Sequence, residues 1–140
     1  NDVKANIVNR YLIPFFKKYA YDNGLEFNAD FSLNRSHTGF NLYSKSWKFG
    51  RIRISFEGSN CSAMLYGVNA TDLNNFPASS RNKLKQAGES SSEHFPYHKY
   101  CSKYRDWNNN TFIDIVEGKV QATFKQELDN ILALAITCEL

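Results

Sequence analysis

The spacing of the apolar residues changes twice along this sequence, and the two changes restrict the folds that the chain can adopt. From Val3 to Tyr19 apolar residues recur at steps of three and four, which is the period of an amphipathic helix. From Leu25 to Val68 they alternate with polar residues, as in a half-buried strand. Helical spacing returns between residues 119 and 135. We therefore predict a helix, a group of strands and a closing helix.

Proline and glycine mark where these helices are disturbed or end. Pro14 lacks a backbone donor and predicts a kink near the middle of the first helix, and Gly24 predicts its end. Near the end of the chain, Thr111 with Asp114 predicts a capped helix start. Gly118 then predicts a break before the last helix.

The alternating region divides into four predicted strands, over residues 25–33, 40–44, 51–57 and 61–68. Short segments rich in turn residues join them, so neighbouring strands must run antiparallel. The apolar strand face needs a cover, which the two amphipathic helices supply. We therefore predict an α+β fold: a two-layer sandwich in which a four-stranded antiparallel sheet is flanked on one face by the N- and C-terminal amphipathic helices.

The length of 140 residues suits one domain over residues 1–140, because the sequence has neither an internal repeat nor a long linker. The chain begins with Asn1 rather than Met, and we expect it to be the C-terminal part of a longer protein. The longest apolar run, residues 131–136, is far shorter than the ~20 residues that span a bilayer, so we expect no membrane partner. Three cysteines do not make a disulfide framework and favour a cytoplasmic location.

Cations and aromatic residues are interleaved in two stretches of the chain, although the net charge of +3 is modest. Cations neutralise phosphates, and aromatic planes stack on bases. This pattern indicates a surface for DNA or RNA; the alternative is a solvated strand face with aromatics that anchor a long loop in the core. The candidate binding residues are Lys45, Trp47, Lys48, Arg51, Arg53, Lys99, Lys103 and Arg105.

One cluster of residues suggests metal or nucleophile chemistry. His94, His98 and Cys101 have the spacing H-x3-H-x2-C, which would put them on one face of a continuous helix. Pro96 argues against such a helix. With a metal or a nucleophile at this cluster, the chain would be a metal-binding domain or a small stand-alone hydrolase. The alternative interpretation is two surface histidines and a half-buried cysteine with no chemical role. We expect no metal, since no fourth ligand lies at a regular spacing from these three residues. We expect no cofactor, since the sequence has no Gly-rich phosphate loop.

An acid followed by an E-x-K triplet occurs at Asp114, Glu117 and Lys119. Restriction-type nucleases carry such carboxylates and a lysine on a strand around a metal. Here Gly118 lies inside the triplet and the surrounding pattern is helical, so we expect no catalytic centre in this chain.

Several segments together resemble the C-terminal region of a family of PD-(D/E)XK nuclease-superfamily proteins from bacteria and phages. They are FNLY (40–43), WK (47–48), RIRISFE (51–57), LYGV (65–68), FPYHKY (95–100), YRDW (104–107) and EGK (117–119). In that family the nuclease motif lies N-terminal to this region. The resemblance implies that the chain is an accessory domain with no catalytic residue, that an upstream nuclease domain is its partner, and that Tyr97 and Trp107 anchor the long segment on the sheet.

The function predicted from the sequence is therefore a non-catalytic accessory domain of a PD-(D/E)XK nuclease-like protein that contacts nucleic acid through a basic and aromatic sheet face. Besides the hydrolase or metal-binding domain, the other alternative is a protein–protein interaction scaffold that dimerises through an open sheet edge or through the Phe-rich helix face.

Overall fold

The computed structural model describes residues 2–32, 35, 37–58, 63–89, 92–105 and 107–140. These residues confirm the α+β class, but the antiparallel sheet has five strands, so the prediction of four was wrong. In both sequence and space the strands follow the order β1 (Glu26–Asp30), β2 (His37–Tyr43), β3 (Gly50–Glu57), β4 (Ala63–Ala70) and β5 (Tyr97–Tyr100). Leu33 and Cys61, at the ends of two predicted strands, lie outside the described residues.

The additional strand, β5, has no alternating pattern in its sequence. It pairs antiparallel with β4, with Tyr97 opposite Val68 and His98 opposite Gly67. Its residues YHKY place one tyrosine and one basic residue on each face. Because neither face is purely apolar, hydrophobic periodicity could not reveal this strand.

The N-terminal helical region has three parts, α1 (Asp2–Ile7), a π-helical turn (Val8–Leu12) and α2 (Ile13–Asp22). In the π turn, the N–H of Ile13 donates to the carbonyl of Val8, five residues earlier. Pro14 follows immediately, and its ring excludes the ordinary helical bond to residue 10. The disturbance that Pro14 predicts therefore takes the form of a π turn just before the proline.

The remaining helices are α3 (Ala78–Ala87), a 3-10 turn (Ser102–Tyr104), α4 (Asn109–Val116) and α5 (Lys119–Thr137). Asn108 caps α4: its side chain accepts from the N–H of Thr111, and the Thr111 hydroxyl accepts from the N–H of Asn108. The predicted helix start at Thr111 with Asp114 was therefore wrong by one turn, because asparagine also caps helices well. Gly118 separates α4 from α5 with φ of 83°.

Aromatic contacts join α2 and α5 to strands of the sheet in the hydrophobic core. Phe16 of α2 contacts Phe40 of β2, with ring centroids 5.2 Å apart, and Phe124 of α5 at 5.7 Å. Phe124 also contacts Tyr66 of β4 at 5.9 Å. Strand residues of this core that are at most 5% exposed include Phe40, Leu42, Ile52, Ile54, Phe56, Met64, Tyr66 and Val68. Burial of each large apolar side chain contributes roughly 1.5–3 kcal/mol.

The long segment between β4 and α4 is attached to this core by aromatic residues. Tyr97 is 5% exposed, and the Trp107 ring packs edge-to-face on Phe56 at 5.5 Å. Both residues therefore anchor the segment as predicted. Within the part of the chain that the structure describes, no helix has both the length and the apolar character that crossing a bilayer requires.

Candidate functional site

The sheet face opposite the core carries polar and charged side chains, and we call it the open face. It is formed by the residues that alternate with the core residues, because successive side chains of a strand point to opposite faces. A hollow of about 380 Å³ lies on it. The residues that line this hollow include Asp30, Asn41, Arg51, Arg53, Ser55, Glu57 and Phe95.

Arg53 lies in the middle of the open face. Its cross-strand neighbours are Asn41 on β2 and Gly67 on β4. Arg53 Nη1 donates to Asn41 Oδ1 at 3.2 Å, and Asn41 in turn donates to Asn28 Oδ1 at 3.4 Å. Partial burial lowers the pKa of Arg53, an effect that the nearby Asp30 opposes. The guanidinium nevertheless stays charged at neutral pH, since arginine is effectively always protonated.

Arg51 lies two residues earlier on the same face, with its guanidinium carbon 5.2 Å from the centre of the Tyr43 ring. Within the described ranges, neither Arg51 nor Arg53 has a carboxylate oxygen within 4.0 Å. The acids of the hollow have other partners. Asp30 pairs with Arg35, whereas Glu57 accepts a hydrogen bond from Tyr100 and lies 3.7 Å from His37 Nδ1. Among the described residues, the hollow therefore holds two arginines that form no ion pair within 4.0 Å.

Three rings form a row along the β5 edge of the open face, and we call Phe95, His98 and Tyr100 the aromatic row. Phe95 and His98 meet edge-to-face at 5.6 Å, and His98 and Tyr100 meet in the same way at 6.0 Å. The guanidinium of Arg105 lies over the Tyr100 ring, 4.3 Å from its centre. The Tyr100 hydroxyl donates to Glu57 Oε2 at 2.9 Å, and this bond raises the pKa of Tyr100.

Two sets of contacts hold the segment that carries Phe95. The carboxylate of Glu93 pairs with Arg81 and Lys85 of α3, and hydrogen bonding from Lys85 is the main reason that the pKa of Glu93 is lowered. The carbonyl of His94 accepts from the N–H of Ala70 at 2.8 Å. The segment is thus fixed to both a helix and a strand, which places Phe95 beside the hollow.

Gly67 makes room for the Phe95 ring. A Cβ atom built on Gly67 would lie 2.4 Å from Phe95 Cε1 and 2.0 Å from the carbonyl oxygen of Tyr97. Any side chain at this position would therefore displace either the ring or β5. The absence of a side chain here lets the Phe95 ring lie above Gly67, the cross-strand neighbour of Arg53.

The structure brings together two of the predicted binding residues. Arg51 and Arg53 both line the hollow, whereas Arg105 lies over the Tyr100 ring. In the register of β4 with β5, Lys99 lies opposite Tyr66, whose ring belongs to the core. Lys99 therefore projects from the face of the sheet opposite the open face.

The other predicted residues lie at the ends of the strands. Lys45 is in the connection between β2 and β3 and pairs with Glu26 at 3.4 Å. In the same connection Trp47 packs half-buried against the core, and the N–H of Lys48 donates to the carbonyl of Leu140. Lys103 is exposed, with its ammonium 5.4 Å from the centre of the Tyr104 ring.

The three residues considered for metal or nucleophile chemistry lie in different surroundings. His98 belongs to the aromatic row, whereas Cys101 is 4% exposed in the hydrophobic core, where burial raises the pKa of its thiol. His94 is exposed. Among the described residues, no three His, Cys, Asp or Glu side chains are grouped closely enough to hold a metal ion.

The E-x-K triplet lies at the junction of α4 and α5. Lys119 Nζ is 2.8 Å from Glu117 and 4.0 Å from Asp114. Asp114 also accepts a hydrogen bond from Tyr104 at 2.9 Å, which together with burial raises the pKa of Tyr104 to about 12. This arrangement connects the 3-10 turn to the two helices.

Sequence reasoning missed Asn41, Tyr43 and Phe95 as parts of the site, and it considered His98 only for metal or nucleophile chemistry. The alternation of Asn41 and Tyr43 with Phe40 and Leu42 places them on the polar face of β2. This signal was available, but only the register with β3 shows that they meet Arg53 and Arg51. The aromatic row depends on β5, which has no periodic signal.

Comparisons with known proteins give no relative for this chain. No protein-family model matches it, no curated protein matches it and no solved structure matches it.

Proposed function

We propose that this chain binds nucleic acid through its open face. The single observation that carries the proposal is the position of Arg51 and Arg53, adjacent on the open face and without a carboxylate partner among the described residues. Guanidinium groups form bidentate hydrogen bonds with phosphates, so two neighbouring arginines suit a phosphate backbone.

The energetics of Arg53 support an anionic ligand. Withdrawing a charge partly from water is unfavourable unless an opposite charge compensates for it. The only polar partner recorded for the Arg53 guanidinium among the described residues is the neutral amide of Asn41. The carboxylate of Asp30 compensates for part of this charge, and a phosphate bound in the hollow would add to that compensation.

The finer architecture that we propose suits such a surface. In it, the N- and C-terminal helices cover one face of the sheet and leave the open face to the ligand, as in a two-layer sandwich. The aromatic row and Arg105 then lie at one edge of the ligand.

We further propose that the chain acts as a non-catalytic accessory domain. This rests on the resemblance to the C-terminal region of PD-(D/E)XK nuclease-like proteins, in which the nuclease motif precedes the matching region. An upstream nuclease domain would then cleave the nucleic acid that the open face retains.

Fluorescence anisotropy with labelled oligonucleotides tests the proposal. If Arg51, Arg53 and Arg105 each contact a phosphate, the slope of log affinity against log salt lies between about −2 and about −3. Binding would then weaken about 20-fold to about 40-fold between about 50 and 200 mM salt.

Two variants distinguish binding by the open face from a general effect of the protein's positive charge. Arg51→Gln/Arg53→Gln is expected to reduce the steepness of the slope by about 1.5 and to weaken binding at least about 10-fold at low salt. The matched control Lys17→Gln/Lys83→Gln removes two exposed cations from α2 and α3 and is expected to leave the slope unchanged. Equal effects of the two variants, or no binding by the unmodified chain at low salt, would rule the proposal out.

A further inference from the structure

We propose that the open face selects a single nucleic-acid strand over a duplex. This inference rests on the proposed function and specifies its ligand. It concerns the second set of groups on the open face, the aromatic row, which phosphate binding does not use.

The cations and the rings lie in two parallel rows. Arg51 and Arg53 are on β3, whereas His98 and Tyr100 are on β5, with β4 between them. Two strand spacings separate the rows by about 10 Å. A strand whose phosphates follow the arginines can therefore direct its bases across β4 toward the aromatic row.

The ring of Phe95 lies beside the arginines, in the space above Gly67. Gly67 lies directly between Arg53 and His98 in the cross-strand register and has no side chain. Phe95 lines the same 380 Å³ hollow as the two arginines, and this volume is in the range of sites that hold a small organic molecule. A cation and a ring of this hollow are thus within reach of one nucleotide.

A duplex cannot use this arrangement in the same way. Its bases are paired and stacked on each other, so they present edges in the grooves and no ring face to the protein. An unpaired strand exposes ring faces, and aromatic side chains on sheet surfaces bind them without strong sequence preference. A duplex would therefore meet the arginines alone, whereas a single strand would meet both rows.

The test compares one sequence of about 12 nucleotides, within the range that single-strand-binding sheet domains cover, as a single strand and as a duplex. Each form is prepared as DNA and as RNA, and affinities are measured at the same salt concentration. We expect the single strand to bind at least about 10-fold more tightly than the duplex, in DNA, RNA or both.

Phe95→Leu keeps an apolar side chain but removes the ring. Loss of one stacked base weakens binding about 5-fold to about 100-fold, so we expect a loss in this range for the single strand and little change for the duplex. The salt slope should stay the same, because stacking neutralises no phosphate. A merely structural role of Phe95 would weaken both forms equally.

Tyr100→Leu is the second variant in case Phe95→Leu does not fold. The matched control is Phe112→Leu, which replaces a ring on α4 away from the open face. The inference is overturned if the duplex binds as tightly as the single strand, or if the ring variants leave single-strand affinity unchanged. The proposed function would survive that result if Arg51→Gln/Arg53→Gln still abolished binding. Failure of both nucleic-acid forms to bind would remove the two proposals together.

Discussion

The two faces of the sheet are built from the same strands but follow different physical rules. On β3, Ile52 and Ile54 are fully buried against the helices, whereas the alternating Arg51 and Arg53 line a hollow that is open to solvent. Folding explains the first pair, because burial of apolar surface is the main stabilising term. Burial of apolar surface does not account for the second pair, which has no carboxylate oxygen within 4.0 Å among the described residues.

The aromatic residues of the two faces differ in the same way. Phe40 on the core face contacts the rings of Phe16, Phe27, Phe31 and Phe56. In the aromatic row, Phe95 is only partly buried and lines the hollow. Aromatic content alone therefore does not distinguish the two faces; the burial of the rings does.

The largest expected difference between the faces is in stability. Phe40→Ala removes a fully buried ring and should lower the free energy of unfolding by about 4 kcal/mol. Phe95→Ala should lower it by less than half as much, because its ring is only partly buried. Urea denaturation of both variants measures this. Equal losses would mean that the aromatic row belongs to the core.

The glycine below the Phe95 ring should be the next most sensitive position. Gly67→Ala forces a Cβ against the Tyr97 carbonyl and the Phe95 ring, and we expect a loss of about 3 kcal/mol. Gly118→Ala has open space but a left-handed backbone, so its expected loss is only about 1–2 kcal/mol. The same denaturation experiment compares them, and a smaller loss for Gly67→Ala would contradict the close packing of β5.

Arg53 should behave in the opposite way from a core residue. Arg53→Leu removes a half-buried charge that has no acidic partner among the described residues, so the free energy of unfolding should change by less than about 0.5 kcal/mol or even increase. Oligonucleotide binding should fall in the same variant. A destabilisation above about 2 kcal/mol would show that Arg53 is needed for folding, and the contrast between the faces would weaken.

Another small predicted effect concerns a contact at the rim of the core. The Tyr19 hydroxyl of α2 donates to Asp129 Oδ1 of α5 at 2.7 Å, and this bond is the main reason that the pKa of Asp129 lies below its ordinary value. A lowered carboxyl pKa stabilises the fold above the ordinary pKa of aspartate, and the contribution is lost as the pH falls through the lowered pKa.

Tyr19→Phe should therefore reduce stability by at most about 1 kcal/mol at neutral pH, since the carboxylate is half exposed. The difference from the unmodified chain should shrink in strongly acidic solution. Urea denaturation across this pH range checks the prediction, with Tyr21→Phe, an exposed ring on the same helix, as the control. A difference that stays constant with pH would exclude the role of Asp129.

Much of the core could be predicted from the sequence, because the alternation of Ile52, Ile54 and Phe56 directly reports which face of β3 is buried. The disturbance of the helix at Pro14 and the break at Gly118 could also be predicted. Proline restricts the backbone and lacks a donor, whereas glycine permits a left-handed backbone. The strand β5 could not be predicted from apolar periodicity, because its four residues carry aromatic and basic groups on both faces.

The candidate site could be predicted only in part for a related reason. Arg51 and Arg53 alternate with core residues, so the sequence alone places them on the polar face of their strand. Lys99 lies in an equally basic stretch, but the register of β5 with β4 turns it to the other face. Register depends on tertiary contacts, which single-sequence patterns do not contain.

An NMR titration tests the central claim, that the open face is the binding face, most directly. A single-stranded oligonucleotide of about 12 nucleotides is added to the isotopically labelled chain, and the side-chain Nε–H signals of Arg51 and Arg53 are followed together with the indole signal of Trp107. We expect the two arginine signals to shift progressively until saturation while the Trp107 signal, on the core side, stays in place. Unchanged arginine signals with shifts confined to α2, α3 or α5 would contradict the account.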